Sequence, residues 1–377
     1  MKLIINTSTL SGTGVTQVAH SVLEECKNFP ENEYHIFYGP EMAKILVPKA
    51  FPDHFYFYEF KGHPLYGLAG FSIRKKMKAL EKQINPDAVF TVFGPACWTP
   101  QAKHITGFAN SYYVYPDSPF FSIISRRDYF RIKLLSLGHR FFLKRNGNYF
   151  ICETEDMSER LSSFLKIPRK HVFTVSNTYS SAFENEAAAD KVFLPSPEKN
   201  EFRFLVLSSF QIHKNLTVLN QVIPLLEKYL PDHKITFVLT IDDEELKQNF
   251  SEKARSRIAN LGRVEPKDCP SLYRACDALF LPTLIEAFSA NYPEAMKMQI
   301  PILTSGYSFA KSICGDAALY FDPQDPTDIA RKCSELVKNQ NLQEKLIKNG
   351  DRRLLTFGSA TERTAAYLQI ISAIVKS

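Results

Sequence analysis

No apolar run in this 377-residue chain approaches the roughly 20 residues that a membrane-spanning helix needs, which sets aside an integral helical membrane protein. The opening residues Met1-Lys2-Leu3-Ile4-Ile5-Asn6 turn polar too soon for a secretory leader. The seven cysteines are odd in number and none forms a Cys-x-x-Cys pair, so neither a zinc knuckle nor a disulfide framework is indicated. Reduced thiols of a cytoplasmic protein are the expectation. No Asp-x-Asp pair stands out, and there is no short-period repeat, low-complexity tract or nucleic-acid recognition motif.

What is present is ordinary globular composition, with 45% hydrophobic and 23% charged residues. The length suits two domains. The net charge of +6 is lopsided: residues 1–182 hold 22 Lys and Arg against 15 Asp and Glu, residues 183–377 hold 24 against 25. The excess in the first half implies an acidic partner there, nucleic acid or an anionic membrane surface. With no recognition motif, nucleic acid is set aside.

Strand-like and helix-like segments alternate twice along the chain. In the first half, Lys2–Ser8 is an apolar run that ends in Leu10-Ser11-Gly12-Thr13-Gly14, and Val15–Lys27 has helical spacing. Tyr34–Tyr38, Phe55–Phe60, Ala88–Phe93, His104–Ala109, Tyr149–Thr154 and His171–Ser176 read as strands, with helices over Ile73–Gln83 and Tyr129–Lys144. A proline-bearing, charged stretch over 186–200 reads as a linker. Beyond it, Phe202–Ser208, Ile235–Ile241, Ala278–Pro282, Pro301–Ser305 and Ala318–Phe321 are strand-like, and Leu216–Tyr229, Asp243–Arg257, Asp328–Lys338, Leu342–Leu354 and Thr361–Val375 helical. This is an α/β pattern of parallel sheets covered by helices on both faces. It predicts two doubly wound domains facing across a cleft, 1–185 and 201–360. The terminal helix over 361–377 is expected to pack back on the first.

The segment richest in chemistry runs from Leu281 to Pro301. A strand leads to a loop bearing Glu286, and a helix then begins near Ser289 or Ala290 with Glu294 in its first turns. Unpaired amides at such a start attract anions. Two carboxylates beside an anion site must face neutral hydroxyls, which is the pattern of a sugar nucleotide. Taken alone, the two glutamates are also readable as a loop residue and a solvated helix residue.

Here the chain resembles the retaining glycosyltransferases of family 4, the group 1 glycosyltransferases, whose Glu-x7-Glu signature Glu286 and Glu294 match. Leu272–Pro282, Glu294-Ala295-Met296, Ile300-Pro301-Ile302 with Ser305, and Gly315–Pro323 continue the likeness. It is close over 202–360 and loose over 1–180. The resemblance implies the GT-B fold, two Rossmann-like domains, and a metal-independent transferase with no cofactor. The donor would be a nucleotide-diphosphate sugar and the acceptor a glycan or lipid-linked molecule of bacterial surface-polysaccharide or lipopolysaccharide synthesis.

By the same resemblance Glu294 binds the donor ribose and Glu286 the hydroxyls of the transferred sugar near the reacting centre. The amides of Ala287, Phe288, Ser289 and Ala290 face sugar and phosphates. In Ser208–Leu216, Lys214 falls on the family's diphosphate-binding lysine. The family often has arginine where His213 stands, so His213 supplies a second charge only if the phosphates raise its pKa. Arg263, within Gly262-Arg263-Val264, matches the stretch near the base, and Gly12 and Gly14 match the glycine-rich loop beside the reacting centre. The family's histidine at the end of a middle strand is replaced by Asn110, with His104 at the strand start. The loop reads Glu-Ala-Phe-Ser-Ala-Asn rather than Glu-Gly-Phe-Gly-Leu-Pro, which leaves the donor sugar open.

Residues 126–145 hold seven Lys and Arg and one acid, Asp128, beside Phe130, Leu134, Leu137 and Phe141 at helical spacing. The stretch reads either as a helix lying in an anionic membrane interface, which makes the protein peripheral on the inner face of the cell membrane, or as a buried stripe with solvated charges. Two other activities fit the same fold, a sugar-nucleotide epimerase and an inactive GT-B binding subunit.

Overall fold

A computed structural model describes residues 1–65, 67–184 and 193–377 of the chain. Residues 186–192 of the expected linker lie outside the described residues. The chain divides into two units: 1–115, 125–177 and 358–377 form the first, 116–124 and 178–357 the second.

In the first unit seven parallel strands, β1 (Lys2–Thr7), β2 (Glu33–Tyr38), β3 (Phe55–Glu59), β4 (Ala88–Thr91), β5 (Lys103–Gly107), β6 (Tyr149–Cys152) and β7 (Val172–Thr174), lie in the order β3-β2-β1-β4-β5-β6-β7. Side chains alternate across a strand. Leu3 and Ile5 therefore pack with Val22 of the helix Thr13–Cys26 and with Ile371 and Ile374 of the C-terminal helix Ala360–Lys376. Ile4 points to the other face, with Phe37, Trp98 and Met77 of the helix Gly67–Ile84. The C-terminal helix is thus part of the first unit. Arg363 fixes it, donating to Asn177 Oδ1 and Ser21 Oγ.

The second unit holds six parallel strands, β8 (Glu201–Val206), β9 (Lys234–Leu239), β10 (Ile258–Asn260), β11 (Ala278–Leu281), β12 (Ile302–Ser305) and β13 (Ala318–Phe321), in the order β10-β9-β8-β11-β12-β13. Phe204, Phe237 and Phe280 of the central strands form one cluster with Val222, Leu226 and Ile329. Both faces are covered, which is why these strands read as near-continuous apolar runs.

Three details differ from the sequence reading. The segment 116–124, expected in the first domain, belongs to the second unit, because Ser118 Oγ donates to the Leu284 carbonyl at 2.8 Å and the Phe120 ring meets the His213 ring edge-on. The second unit begins at Thr178, where Phe183 packs edge-on against Tyr273, rather than at 201. The single helix over 243–257 is two, Asp243–Asn249 and Glu252–Arg255. Phe250 turns into the core between them, and Ser251 caps the second helix at the Ala254 amide. The strand β10, Ile258–Asn260, which the sequence reading lacked, follows the second helix.

Candidate functional site

The strand order of the second unit reverses between β8 and β11. Loops leaving such neighbours diverge to opposite faces and open a crevice at the carboxyl ends of the strands. Lys214 comes from the loop after β8 and Glu286 from the loop after β11. They meet there: Lys214 Nζ donates to Glu286 Oε1 at 2.7 Å, and both side chains are largely buried. The other carboxylate oxygen, Glu286 Oε2, is buried with no hydrogen-bond partner among the described residues.

The loops that carry this pair are fixed by backbone. Ile212–Lys214 form a single 3-10 turn that ends on Asn215 in the left-handed conformation (φ 55°), and Asn215 Nδ2 donates to the Pro323 carbonyl beyond β13. The Leu284 amide donates to the His213 carbonyl at 2.8 Å. Three strand-end loops are thus tied to one another around Lys214.

Glu294 sits on the helix Asn291–Lys297, buried behind this loop. The helix starts after Ala290 as the sequence reading places it, and Asn291 Nδ2 ties it to the Leu207 carbonyl after β8 at 2.7 Å. Burial pushes the Glu294 carboxyl up to about 7, although the Tyr273 hydroxyl donates to Oε2 at 3.0 Å and a Ser180 backbone hydrogen bond also favours the ionised form. A carboxylate left with so few donors gains from any further hydroxyl offered to it. Ser289 is buried, Ala287 and Ala290 half-buried, and Phe288 lies edge-on to Phe357.

His213 is not a second cation in this arrangement. Burial, then the neighbouring Lys214 charge, lower its imidazole to about 3. Arg263 is exposed and forms a two-point ion pair with Asp242 at 3.1 and 3.2 Å, so a ligand there must share it with that carboxylate.

Gly12, Gly14 and Asn110 belong to the first unit, at the carboxyl ends of β1 and β5. Gly12 has φ +98°, a conformation that suits only glycine, and a side chain added at Gly12 or Gly14 would meet nothing within 4 Å. Asn110 Oδ1 is buried without a hydrogen-bond partner among the described residues. Asn110, Ser11 and Pro95 line a cavity of about 330 Å³, and two histidines missed by sequence reasoning, His63 and His139, line it too. His63 lies in the loop after β3 and His139 in the helix Arg126–Asn146, and neither belongs to a sequence motif, so the sequence held no signal for their meeting. His104 is a core histidine, held between Asn146 and Thr91 and lowered by burial to about 4. Among the described residues, no group of three His, Cys, Asp or Glu side chains gathers as a metal site would require.

Comparison with known proteins finds that residues 190–353 match the model of the family described as glycosyl transferases group 1. A stretch of 87 residues is 30% identical to the O-antigen chain mannosyltransferase B of Escherichia coli, spanning 23% of this chain and 23% of that protein. Among solved structures, a glycosyltransferase from Rickettsia africae superposes with a TM-score of 0.72 at 15% identity, covering 100% of this chain and 99% of the other. HepE of Anabaena, solved with UDP and glucose, superposes with a TM-score of 0.68 at 12% identity, over 99% and 100%.

Proposed function

On the premise that residues 190–353 are a group 1 glycosyltransferase domain and that the two units carry the α/β GT-B fold, we propose that this chain transfers a sugar, with retention at the anomeric carbon, from a nucleotide-diphosphate sugar to a hydroxyl of a bacterial surface-polysaccharide or lipopolysaccharide acceptor. The observation that carries this is the Lys214–Glu286 pair at the β8/β11 reversal, with Glu294 buried behind it. Lys214 neutralises the charge that grows on the leaving diphosphate. Glu286 keeps one oxygen for a hydroxyl of the transferred sugar, and Glu294 takes the ribose. The bond from the anomeric carbon to the diphosphate oxygen breaks as the acceptor oxygen bonds to that carbon on the same face. The departing diphosphate receives the acceptor proton. The two glutamates follow one loop and its helix rather than flanking a scissile bond, so a hydrolase acid/base pair is not the reading.

The acceptor chemistry is supported by the stretch shared with an O-antigen mannosyltransferase, and a nucleotide-sugar donor by the UDP complex of a structural neighbour. We assign the first unit to an anionic membrane surface. Among the described residues no helix is long and apolar enough to cross a membrane. The helix Arg126–Asn146, however, exposes Phe130, Leu134, Leu137 and Phe141, each more than half solvent-exposed, instead of burying them. Leu68 and Phe71, at the start of the helix Gly67–Ile84, are 93% and 65% exposed beside Lys75 and Lys78. Large exposed apolar groups rimmed by cations suit a lipid interface.

Incubation with a panel of sugar nucleotides, led by those of mannose and glucose, tests the proposal. Free nucleotide released in step with a glycosylated product supports it. A new sugar nucleotide would mean an epimerase instead, and no turnover with any donor would mean an inactive subunit.

A further inference from the structure

Glu294 is only 8% exposed. A carboxylate taken out of water needs its lone pairs filled, and it can accept about four hydrogen bonds. Two protein donors reach this one: the Tyr273 hydroxyl, 3.0 Å from Oε2, and the backbone amide of Ser180. About half of the accepting capacity remains, which matches the two adjacent hydroxyls of a ribose.

Tyr273 is wholly buried, in the short helix Cys269–Arg274 that leads to β11. Its hydroxyl lies on the axis of the ring, so ring flips leave it in place, and only a swing of the whole side chain takes it off Glu294. Phe183 packs against that swing, edge-on to the Tyr273 ring at 5.4 Å between centroids. Phe183 belongs to the 3-10 turn Ser181–Phe183, and Ser180 caps that turn by accepting from the Ala182 amide. In the same segment Tyr179 lies beneath the Lys297 ammonium at the end of the Glu294 helix, 5.5 Å from nitrogen to ring centre. One stretch, 179–183, thus steadies the tyrosine, the glutamate and the helix that carries the glutamate. The Tyr273 proton has a second acceptor in reach, the Asn291 carbonyl at 3.4 Å. The Glu294 carboxylate is closer and charged, so it takes the proton. Phenylalanine would fill the same space with no polar atom to satisfy, so packing alone does not account for the hydroxyl.

Resting on the reading that Glu294 takes the donor ribose, we infer that Tyr273 is a positioning residue for that contact: its hydroxyl holds Oε2 so that the remaining lone pairs of the carboxylate face the ribose hydroxyls, and this sets a preference for ribonucleotide over 2′-deoxyribonucleotide donors. Tyr273 touches no substrate and acts through Glu294. The same hydroxyl also favours the ionised carboxylate against its burial. The other titratable groups around it stay neutral while Glu294 titrates: burial, before the Glu294 charge, raises the Tyr273 phenol well above its ordinary value, and burial raises the Cys269 and Cys276 thiols to about 12. Of the charged groups, Asp268 acts on the Cys269 thiol and Lys297 is engaged over Tyr179.

The test is titration calorimetry on the full chain with UDP, GDP and ADP, each beside its 2′-deoxy counterpart, across about pH 6 to 9. For the base that binds best, the parent is expected to prefer the ribonucleotide by about tenfold or more, as one hydrogen bond to a charged group does. Tyr273→Phe should cut that preference to about threefold or less at neutral pH and leave the deoxynucleotide's own affinity within about twofold of the parent's. A merely structural tyrosine would weaken both nucleotides alike. The ratio of the two affinities cancels the titration of their phosphates. In the parent this ratio should grow as pH rises through about 7. Without the Tyr273 donor the same growth should come about half a unit to one unit higher, so that part of the preference returns in alkali. Phe183→Leu, which disturbs the packing on the ring and keeps the hydroxyl, should lower the thermal midpoint and leave the ratio as it is. Tyr273→Leu is a second variant without the hydroxyl, and the thermal midpoint reports folding for each. The inference is overturned if the parent shows no preference for ribose, if a folded variant without the hydroxyl keeps the parent's ratio and its pH midpoint, or if Phe183→Leu changes the ratio as much as Tyr273→Phe does. A ribose preference that depends on Tyr273 in a chain that transfers no sugar from any donor would break the glycosyltransferase reading and leave this role standing. Sugar transfer with a ratio indifferent to Tyr273 would do the reverse.

Discussion

Lys214 and Glu286, 72 residues apart in the chain, close a 2.7 Å ion pair across the point where the second sheet reverses its order. Both side chains are only about one-sixth exposed. A diphosphate that approaches Lys214 must therefore compete with a carboxylate already bound to it. In the donor-free protein Glu286 both orients Lys214 and holds part of its charge back.

That competition fixes the sign of one outcome. Glu286→Gln removes the competing charge, so a nucleoside diphosphate is expected to bind more tightly, by about tenfold if the released interaction amounts to about 1.4 kcal/mol. Turnover is expected to fall in the same variant because the proposed contact to the sugar hydroxyl loses its charged acceptor. Titration calorimetry with the nucleoside diphosphate, beside steady-state kinetics, separates the two effects. Weaker nucleotide binding in Glu286→Gln would show that the carboxylate supports the site rather than competes in it.

Lys214→Ala should lower turnover by about 10²-fold or more, the loss seen when one preorganised electrostatic donor is removed, and lower donor affinity by less. Charge on the diphosphate is greatest in the transition state, so the effect belongs mainly in kcat. Collapse of affinity with kcat at saturation unchanged would make Lys214 a binding residue only.

Glu294 gives a pH dependence with a definite direction. Its folded-state pKa of about 7 lies above the ordinary 4.5. Between those values the native state binds more protons than the unfolded chain, so the stability this group contributes is complete below about pH 4.5 and is lost as pH rises through 7. The loss amounts to about 3 kcal/mol at 1.36 kcal/mol per pKa unit. Glu294→Gln removes the titration and keeps an acceptor for Tyr273. It should match the parent in urea unfolding at pH 4 and exceed it at pH 8. Nucleotide affinity should run the other way in the parent, rising as pH increases through 7, because ribose hydroxyls favour the carboxylate. The variant should lack that part of the rise.

The apolar runs of β1, β8 and β11 and the spacing of the C-terminal helix made the architecture legible, since both depend on local periodicity. Resemblance marked Lys214, Glu286 and Glu294, and the fold brings them to one end of one sheet. What depended on contacts distant in sequence was hidden. Nothing local in Tyr115-Pro116-Asp117-Ser118 announces that Ser118 will reach Leu284. His63 and His139 share a wall only because the loop after β3 and the helix 126–146 converge there. Periodicity also left the phase of that helix open. Its apolar stripe matches a buried face, yet the residues it buries are Leu143 and Asn146, and the stripe faces out.

The C-terminal helix should stabilise the first unit from 271 residues away, since Lys103 Nζ donates to the Ile374 carbonyl and Ile371 is wholly buried against β-strand residues. Ile371→Ala is expected to cost about 2–5 kcal/mol, the range for deleting a buried aliphatic side chain. Urea unfolding checks it. A cost under about 1 kcal/mol would mean that the helix is held at its ends rather than along its buried face.

Membrane association is expected to rest on the outward stripe and its cations together. Arg126, Arg127, Arg131 and Lys133 are exposed and take part in no ion pair among the described residues, so they remain available to anionic headgroups. The one acid of the segment, Asp128, is bonded to Ser125 at the helix start. Each Lys or Arg near an anionic surface contributes about 1 kcal/mol, so four or five in favourable positions suffice for reversible binding. Inserted Phe130 and Leu137 add apolar burial that salt does not screen. Changing the four cations to Ser together should abolish co-sedimentation with vesicles containing phosphatidylserine, and Phe130→Ser with Leu137→Ser should weaken it. At 1 M salt, where the Debye length is about 3 Å, the parent should largely dissociate while its fold is unchanged. Equal pelleting of the parent and the four-cation variant, or pelleting indifferent to salt, would show that the exposed stripe serves a partner other than an anionic bilayer.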